Sequence, residues 1–81
     1  MSVRFYYWLE TKASDGCNHW DWALVRGSFD AEGKKNRSTE EKIVFGICEE
    51  GDINRDISDC WDSIDDTIRQ ALGFVPDYEV N

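Results

Sequence analysis

The stretch DINRDISDCWDSIDDTIRQALG, residues 52–73, carries Asp52, Asp56, Asp59, Asp62, Asp65 and Asp66. Carboxylates so closely spaced support acid–base catalysis, cation binding or imitation of a polyanion. A catalytic carboxyl needs its pKa raised by burial or by a close neighbour. The apolar spacing predicts a helix that holds these groups outward instead. At 100° per residue, Ile57, Trp61, Ile64 and Ile68 fall within about a quarter of the helix circumference. Asp59 and Asp66 point almost directly away from that stripe. Asp62 lies beside them, and Asp65 lies at the boundary.

Some of this acidity has a local reason. Asp52 and Asp56 sit near the helix start, where the macrodipole favours negative charge. Asp65 precedes Arg69 by four residues, as Arg55 precedes Asp59, so each can pair. Asp62 and Asp66 are like charges four apart, and Asp59 and Asp62 are three apart. Each such pair costs roughly 0.2–0.5 kcal/mol. Aspartate is also a poor helix former. A helix needing only solubility would use Glu and Lys at lower cost.

Cys17, His19, Cys48 and Cys60 supply four potential zinc ligands. A zinc site usually repeats a pair of ligands two to four residues apart. Only Cys17 and His19 are close here, at an unusual spacing, and Cys60 reads more simply as a small core residue. No metal or other cofactor is expected. His19 is the sole histidine, so a Ser/His/Asp or Cys/His site would have to use it. It sits beside a turn, facing solvent. Glu10 is read as directly opposite Asp21 on the sheet, a like-charge pair that either binds a cation or splays apart. With no nucleophile–base pair to start from, a non-enzymatic protein is expected.

The charge is unevenly placed. The chain carries a net charge of −8. Residues 1–41 hold Arg4, Lys12, Arg26, Lys34, Lys35 and Arg37 against seven acids. Residues 42–81 hold Lys42, Arg55 and Arg69 against ten. This asymmetry predicts a basic protein partner. Tyr6, Trp8, Trp20 and Trp22 could stack on bases, but single-strand binders set such rings in a positive groove. KKNR is the only basic cluster, so no direct nucleic-acid binding is expected. No apolar run approaches the ~20 residues needed to span a membrane. MSVRFYYWLE lacks an apolar signal-peptide core, which predicts a cytoplasmic chain with three reduced cysteines.

The elements that position these groups follow from the pattern. The 81 residues, with four Trp, three Tyr and four Phe, make a single small acidic domain, residues 1–81. A chain this short buries only about 60% of its unfolded surface. VRFYYWLETK and HWDWALVRGSF read as two strands, about 3–12 and 19–29. Asp15-Gly16 is a two-residue turn signal. It sets Leu9 opposite Trp22 and Tyr7 opposite Leu24. One face then carries Phe5, Tyr7, Leu9, Trp20, Trp22 and Leu24, and forms the core. The other carries Tyr6, Trp8, Ala23 and Val25, an end that is either covered or sticky. DAEGKKNRS reads as a polar basic loop. STEEKIVFGICEEGD fits two readings. Ser38 with Glu41 makes a helical capping box and Gly51 a C-terminal glycine. Ile43, Phe45 and Ile47 also alternate as in a strand. A helix would leave Phe45 off its stripe, which favours a third strand, about 42–48. The helix, about 54–72, ends at Gly73, and Pro76 bars its resumption. The tail is expected to dock through Phe74 and Tyr78. The fold expected is α+β, an antiparallel sheet of two or three strands packed on the C-terminal helix.

In size and charge the chain resembles small acidic proteins that block nucleic-acid enzymes, including the restriction and CRISPR inhibitors of phages. The resemblance is one of genre, without a shared motif. It implies a phage anti-defence inhibitor acting in the host cytoplasm. Its carboxylates would occupy the nucleic-acid-binding surface of a basic protein or complex. The residues expected to meet the partner are Asp59, Asp62, Asp65, Asp66, Tyr6 and Trp8. The alternatives are a small interaction or oligomerisation domain, a homodimer included, using the aromatic sheet face, and a zinc-stapled domain.

Overall fold

The computed structural model describes residues 4–13, 20–48 and 57–80. Aromatic and β-branched residues favour a pleated, half-buried surface, and they build β1, Phe5–Ala13, and β2, Trp20–Phe29. The two strands pair antiparallel, with Leu9 opposite Leu24 and Tyr6 opposite Gly27. This register is shifted by two residues from the one a turn at Asp15-Gly16 would impose. The ladder closes at Ala13 and Trp20, so residues 14–19 make the connection. The turn itself lies outside the described residues. A shift of two preserves side-chain parity, and the expected faces therefore stand. One pairing changes. Glu10 opposes Ala23, and Asp21 opposes Lys12, so the expected like-charge pair does not form.

The ambiguous segment is a strand. β3 spans Lys35–Cys48 and starts well before the expected residue 42, and the Ser38/Glu41 capping box is not used. Its early start follows from the preceding turn. The Asp30 carboxylate accepts hydrogen bonds from the backbone N–H of Glu32 at 2.8 Å and of Lys34 at 2.9 Å. The Gly33 N–H donates to the Asp30 carbonyl at 3.0 Å. Gly33 takes the left-handed conformation, φ 82°, which closes a short hairpin loop at no steric cost. Lys35 is thereby delivered opposite Phe29. Two of the KKNR cations have carboxylate partners, Lys35 with Glu79 and Arg37 with Glu40 of the same strand.

A fourth strand, β4 at Glu79–Val80, runs parallel to β1 with Trp8 beside Glu79. The sheet order is β3-β2-β1-β4. The sheet is thus four-stranded and mixed, not antiparallel with two or three strands, while the α+β class holds. The helix α1 spans Ile57–Leu72; the expected start at residues 54–56 lies outside the described residues. Gly73 ends it with φ 86° and an N–H donated to the Arg69 carbonyl at 2.8 Å, a left-handed C-cap. Pro76 follows, buried.

The helix packs on the face expected to be the core. Leu9, Trp22, Leu24, Val44, Ile64 and Ile68 form its buried centre. Trp61 is half-buried at the margin, its ring tilted 35° against that of Tyr78 with centroids 6.4 Å apart. Tyr78 docks as expected, whereas Phe74 is exposed. On the opposite face no helix of the described residues lies, yet Tyr6, Ala23 and Val25 are buried. Long neighbours cover them. Trp8 and Lys42 flank Val25 on either side, and the Tyr6 ring meets Phe29 edge-on at 5.3 Å. Two glycines admit the aromatics. Gly27 lies opposite Tyr6 and Gly46 opposite Trp22, and the rings lie flat over the empty positions. A Cβ at Gly27 would come within 2.8 Å of Tyr6 Cε1 and closer still to Cζ.

Candidate functional site

The outer face of α1 is where the sequence places its unexplained acids. Asp62 and Asp66 are exposed there, and Asp65 is half-buried. Arg69 pairs with Asp66 at 3.0 Å, not with Asp65. Asp65 instead accepts the Tyr78 hydroxyl at 2.8 Å, which ties the C-terminal tail to the helix. Burial, then the bond to Asp65, pushes the Tyr78 pKa well up. Among the described residues Asp62 has no hydrogen-bond or ion-pair partner. The side chain of Asp59, and Arg55 with it, lie outside the described residues.

The sheet treats its charge differently. Arg26 meets Glu41 at 3.0 Å, Arg37 meets Glu40 at 2.7 Å, Lys42 meets Glu10 at 3.1 Å and Lys35 meets Glu79 at 3.6 Å. Arg26 also lies over the Phe5 ring at 4.7 Å, and Arg4 over Phe29 at 5.4 Å. Exposed pairs like these add little stability, but they neutralise the strands.

Tyr6 is held inside this network. Its hydroxyl donates to Glu40 Oε2 at 2.7 Å and lies 3.3 Å from the Asn36 carbonyl. Burial first, and then the Glu40 bond, raise the Tyr6 pKa. The Tyr6 bond, then the Arg37 bond, lower that of Glu40. The Trp8 indole N–H adds a weaker pull on the same carboxylate without reaching hydrogen-bond geometry. Trp8 is half-buried and Tyr6 is 8% exposed. Tyr6 is thus enclosed by the sheet, while half-buried Trp8 lines the adjoining groove.

Beside them runs a shallow groove. One part, about 320 Å³, lies between Lys12, Asp21, Ala23 and Phe45. The next, about 240 Å³, lies over Trp8 and Val25. Glu10 and Lys42 line both parts, and their ion pair divides the groove. Phe45 and Ile47 project at its edge, 64% and 57% exposed. Neither was among the expected contact residues; the alternation of Phe45 and Ile47 is the signal that could have found them, while a bulge at Ile43 turns that residue to the core.

Among the described residues, no group of three or more His, Cys, Asp or Glu side chains could hold a metal ion. Cys17, His19 and the side chains of Cys48 and Cys60 lie outside them, so the zinc reading falls outside the described structure. Among the described residues no helix is long and apolar enough to cross a membrane. Compared with known protein families, curated proteins and solved structures, the chain matches none.

Proposed function

We propose that the protein is a non-enzymatic inhibitor that binds another protein, its acidic helix face occupying the nucleic-acid-binding surface of a basic target. One observation carries the reading. Four cations of the sheet are each tied to one of its own carboxylates, while on α1 Arg69 alone answers Asp66 and Asp62 stands exposed and unpaired among the described residues. Residues 1–48 hold seven acids and seven bases, so the chain's net −8 falls in residues 49–81, and α1 holds −3 of it on one rigid element. Residues one turn apart are about 6 Å apart along a helix axis. Two phosphate steps on one strand of duplex DNA advance about 6.8 Å, a comparable spacing. Lys and Arg that neutralise phosphates could meet these carboxylates instead, and complementary charge would speed the encounter.

In its sharper form the target is a bacterial defence complex, the source a phage and the site of action the host cytoplasm. Small size and acidity support that form. Capture from a bacterial lysate tests the reading. A retained basic protein should be released both by high salt and by added DNA or RNA. Release by neither would overturn the proposal. A second reading, an interaction domain working through the sheet, draws on the exposure of Phe45 and Ile47.

A further inference from the structure

We infer that residues 44–48 of β3 form the contact through which two copies of the chain pair, extending the sheet antiparallel across a two-fold axis. The inference does not depend on the acidic helix.

The order β3-β2-β1-β4 leaves β3 at one edge of the sheet, and no strand among the described residues pairs with its outer side. Such an edge presents unpaired N–H and C=O groups and templates further pairing. Proteins blunt long edges with charges, bulges and short strands. β4, at the other edge, is two residues long. In β3 the protective devices all lie before Val44. Lys35, Arg37, Glu40, Glu41 and Lys42 stand there, one register irregularity falls between Glu41 and Asn36, and the other is a bulge at Ile43. Residues 44–48, Val-Phe-Gly-Ile-Cys, carry no charge. From Val44 to Cys48 the ladder to β2 is unbroken. Val44 is buried under the helix and anchors the strand. Phe45 and Ile47 project on the opposite face, largely exposed.

Charge selects the occupant. Two copies of a chain with net charge −8 repel, so they can meet only where the surface is neutral. α1 packs beside β3. Asp65 lies on the flank of α1 that faces Tyr78. The helical period puts Ser63, Thr67 and Ala71 on the other flank, all uncharged. Residues 44–48 themselves offer a basic foreign protein no charge to attract it. A second copy brings the same neutral strand. With a two-fold axis at Gly46, Phe45 of each copy stands opposite Ile47 of the other on one face, where apolar cross-strand pairs are favourable. The contact is self-complementary, as a closed dimer requires. It falls at the small end of interface sizes, so the pairing should be reversible.

Sedimentation equilibrium of the full chain, from about 1 to about 500 µM, spans the affinities expected of a weak pair. The wild type should pass from monomer to dimer across that range. Phe45→Lys and Ile47→Lys replace exposed side chains and should keep the wild-type circular dichroism while weakening dimerisation at least tenfold. Hydrogen exchange within amides 44–48 should slow with concentration in the wild type alone. A wild type that stays monomeric throughout would overturn the inference. So would lysine variants that dimerise as before, protection appearing in another segment, or assemblies larger than two.

Discussion

Gly46→Ala is a sharp probe of the sheet beneath the helix. Gly46 faces Trp22 across the β2–β3 ladder, and Trp22 is 5% exposed within the core. A Cβ on residue 46 would lie 2.6 Å from the indole Nε1, well inside contact distance. Gly46 has no positive φ, so the backbone itself would accept alanine, and the cost is steric. Overpacking a core of this kind costs about 1–3 kcal/mol. Alanine also restricts the unfolded chain, which returns about 0.4–1 kcal/mol. The net loss is about 1–2 kcal/mol, or roughly 4–16 °C in Tm for a domain of this size. Thermal and urea unfolding followed by circular dichroism measure it. A second background identifies the cause. In Trp22→Phe the smaller ring vacates the space, so adding Gly46→Ala should cost less than half as much. An unchanged Tm for Gly46→Ala, or the same loss in both backgrounds, would refute the argument that the indole fills the glycine's place.

Two further outcomes follow from chemistry within the fold. Tyr6 and Tyr78 both have raised pKa values, so the fold favours their neutral, hydrogen-donating forms. That stability is complete below the unfolded tyrosine pKa of about 10 and is lost as pH rises through the folded values. The urea midpoint should fall above about pH 10, and less steeply in a Tyr6→Phe/Tyr78→Phe variant; equal slopes would contradict the assignment. Treatment with a strong chelator should leave the circular dichroism unchanged. Loss of structure with release of about one equivalent of zinc would place a metal on Cys17, His19, Cys48 and Cys60.

The parts of this structure that could be read from sequence are those fixed by periodicity. Period two assigned both faces of the β1–β2 hairpin, and a register error of two residues left them intact because it preserves parity. The same error misplaced individual partners, and so Glu10 was set against Asp21 instead of Ala23. The helix stripe was legible at its centre, Ile64 and Ile68. The early start of β3 was not, because Lys35 and Arg37 look like loop residues until Glu79 and Glu40 stand beside them. β4 is too short to leave a pattern. At the candidate site, the outward direction of Asp62 and Asp66 followed from 100° per residue. The diversion of Asp65 to Tyr78 depends on where the tail returns, which local spacing does not encode. Tyr6 looked available for contact because its cover, Glu40 and Phe29, comes from distant sequence.

The central claim concerns charge on one helix face, and charge can be removed there without changing shape. Asn in place of Asp59, Asp62 and Asp66 keeps the side-chain outline and erases three charges. The fold should persist, because the loss of like-charge neighbours offsets the loss of the exposed Asp66–Arg69 pair. The measurement is the association rate of this variant with a captured basic partner, across a range of salt concentrations and beside the wild type. The account predicts slower association and a flatter salt dependence for the variant, with nucleic acid competing against the wild type. Equal rates and equal salt slopes for the two proteins would contradict it.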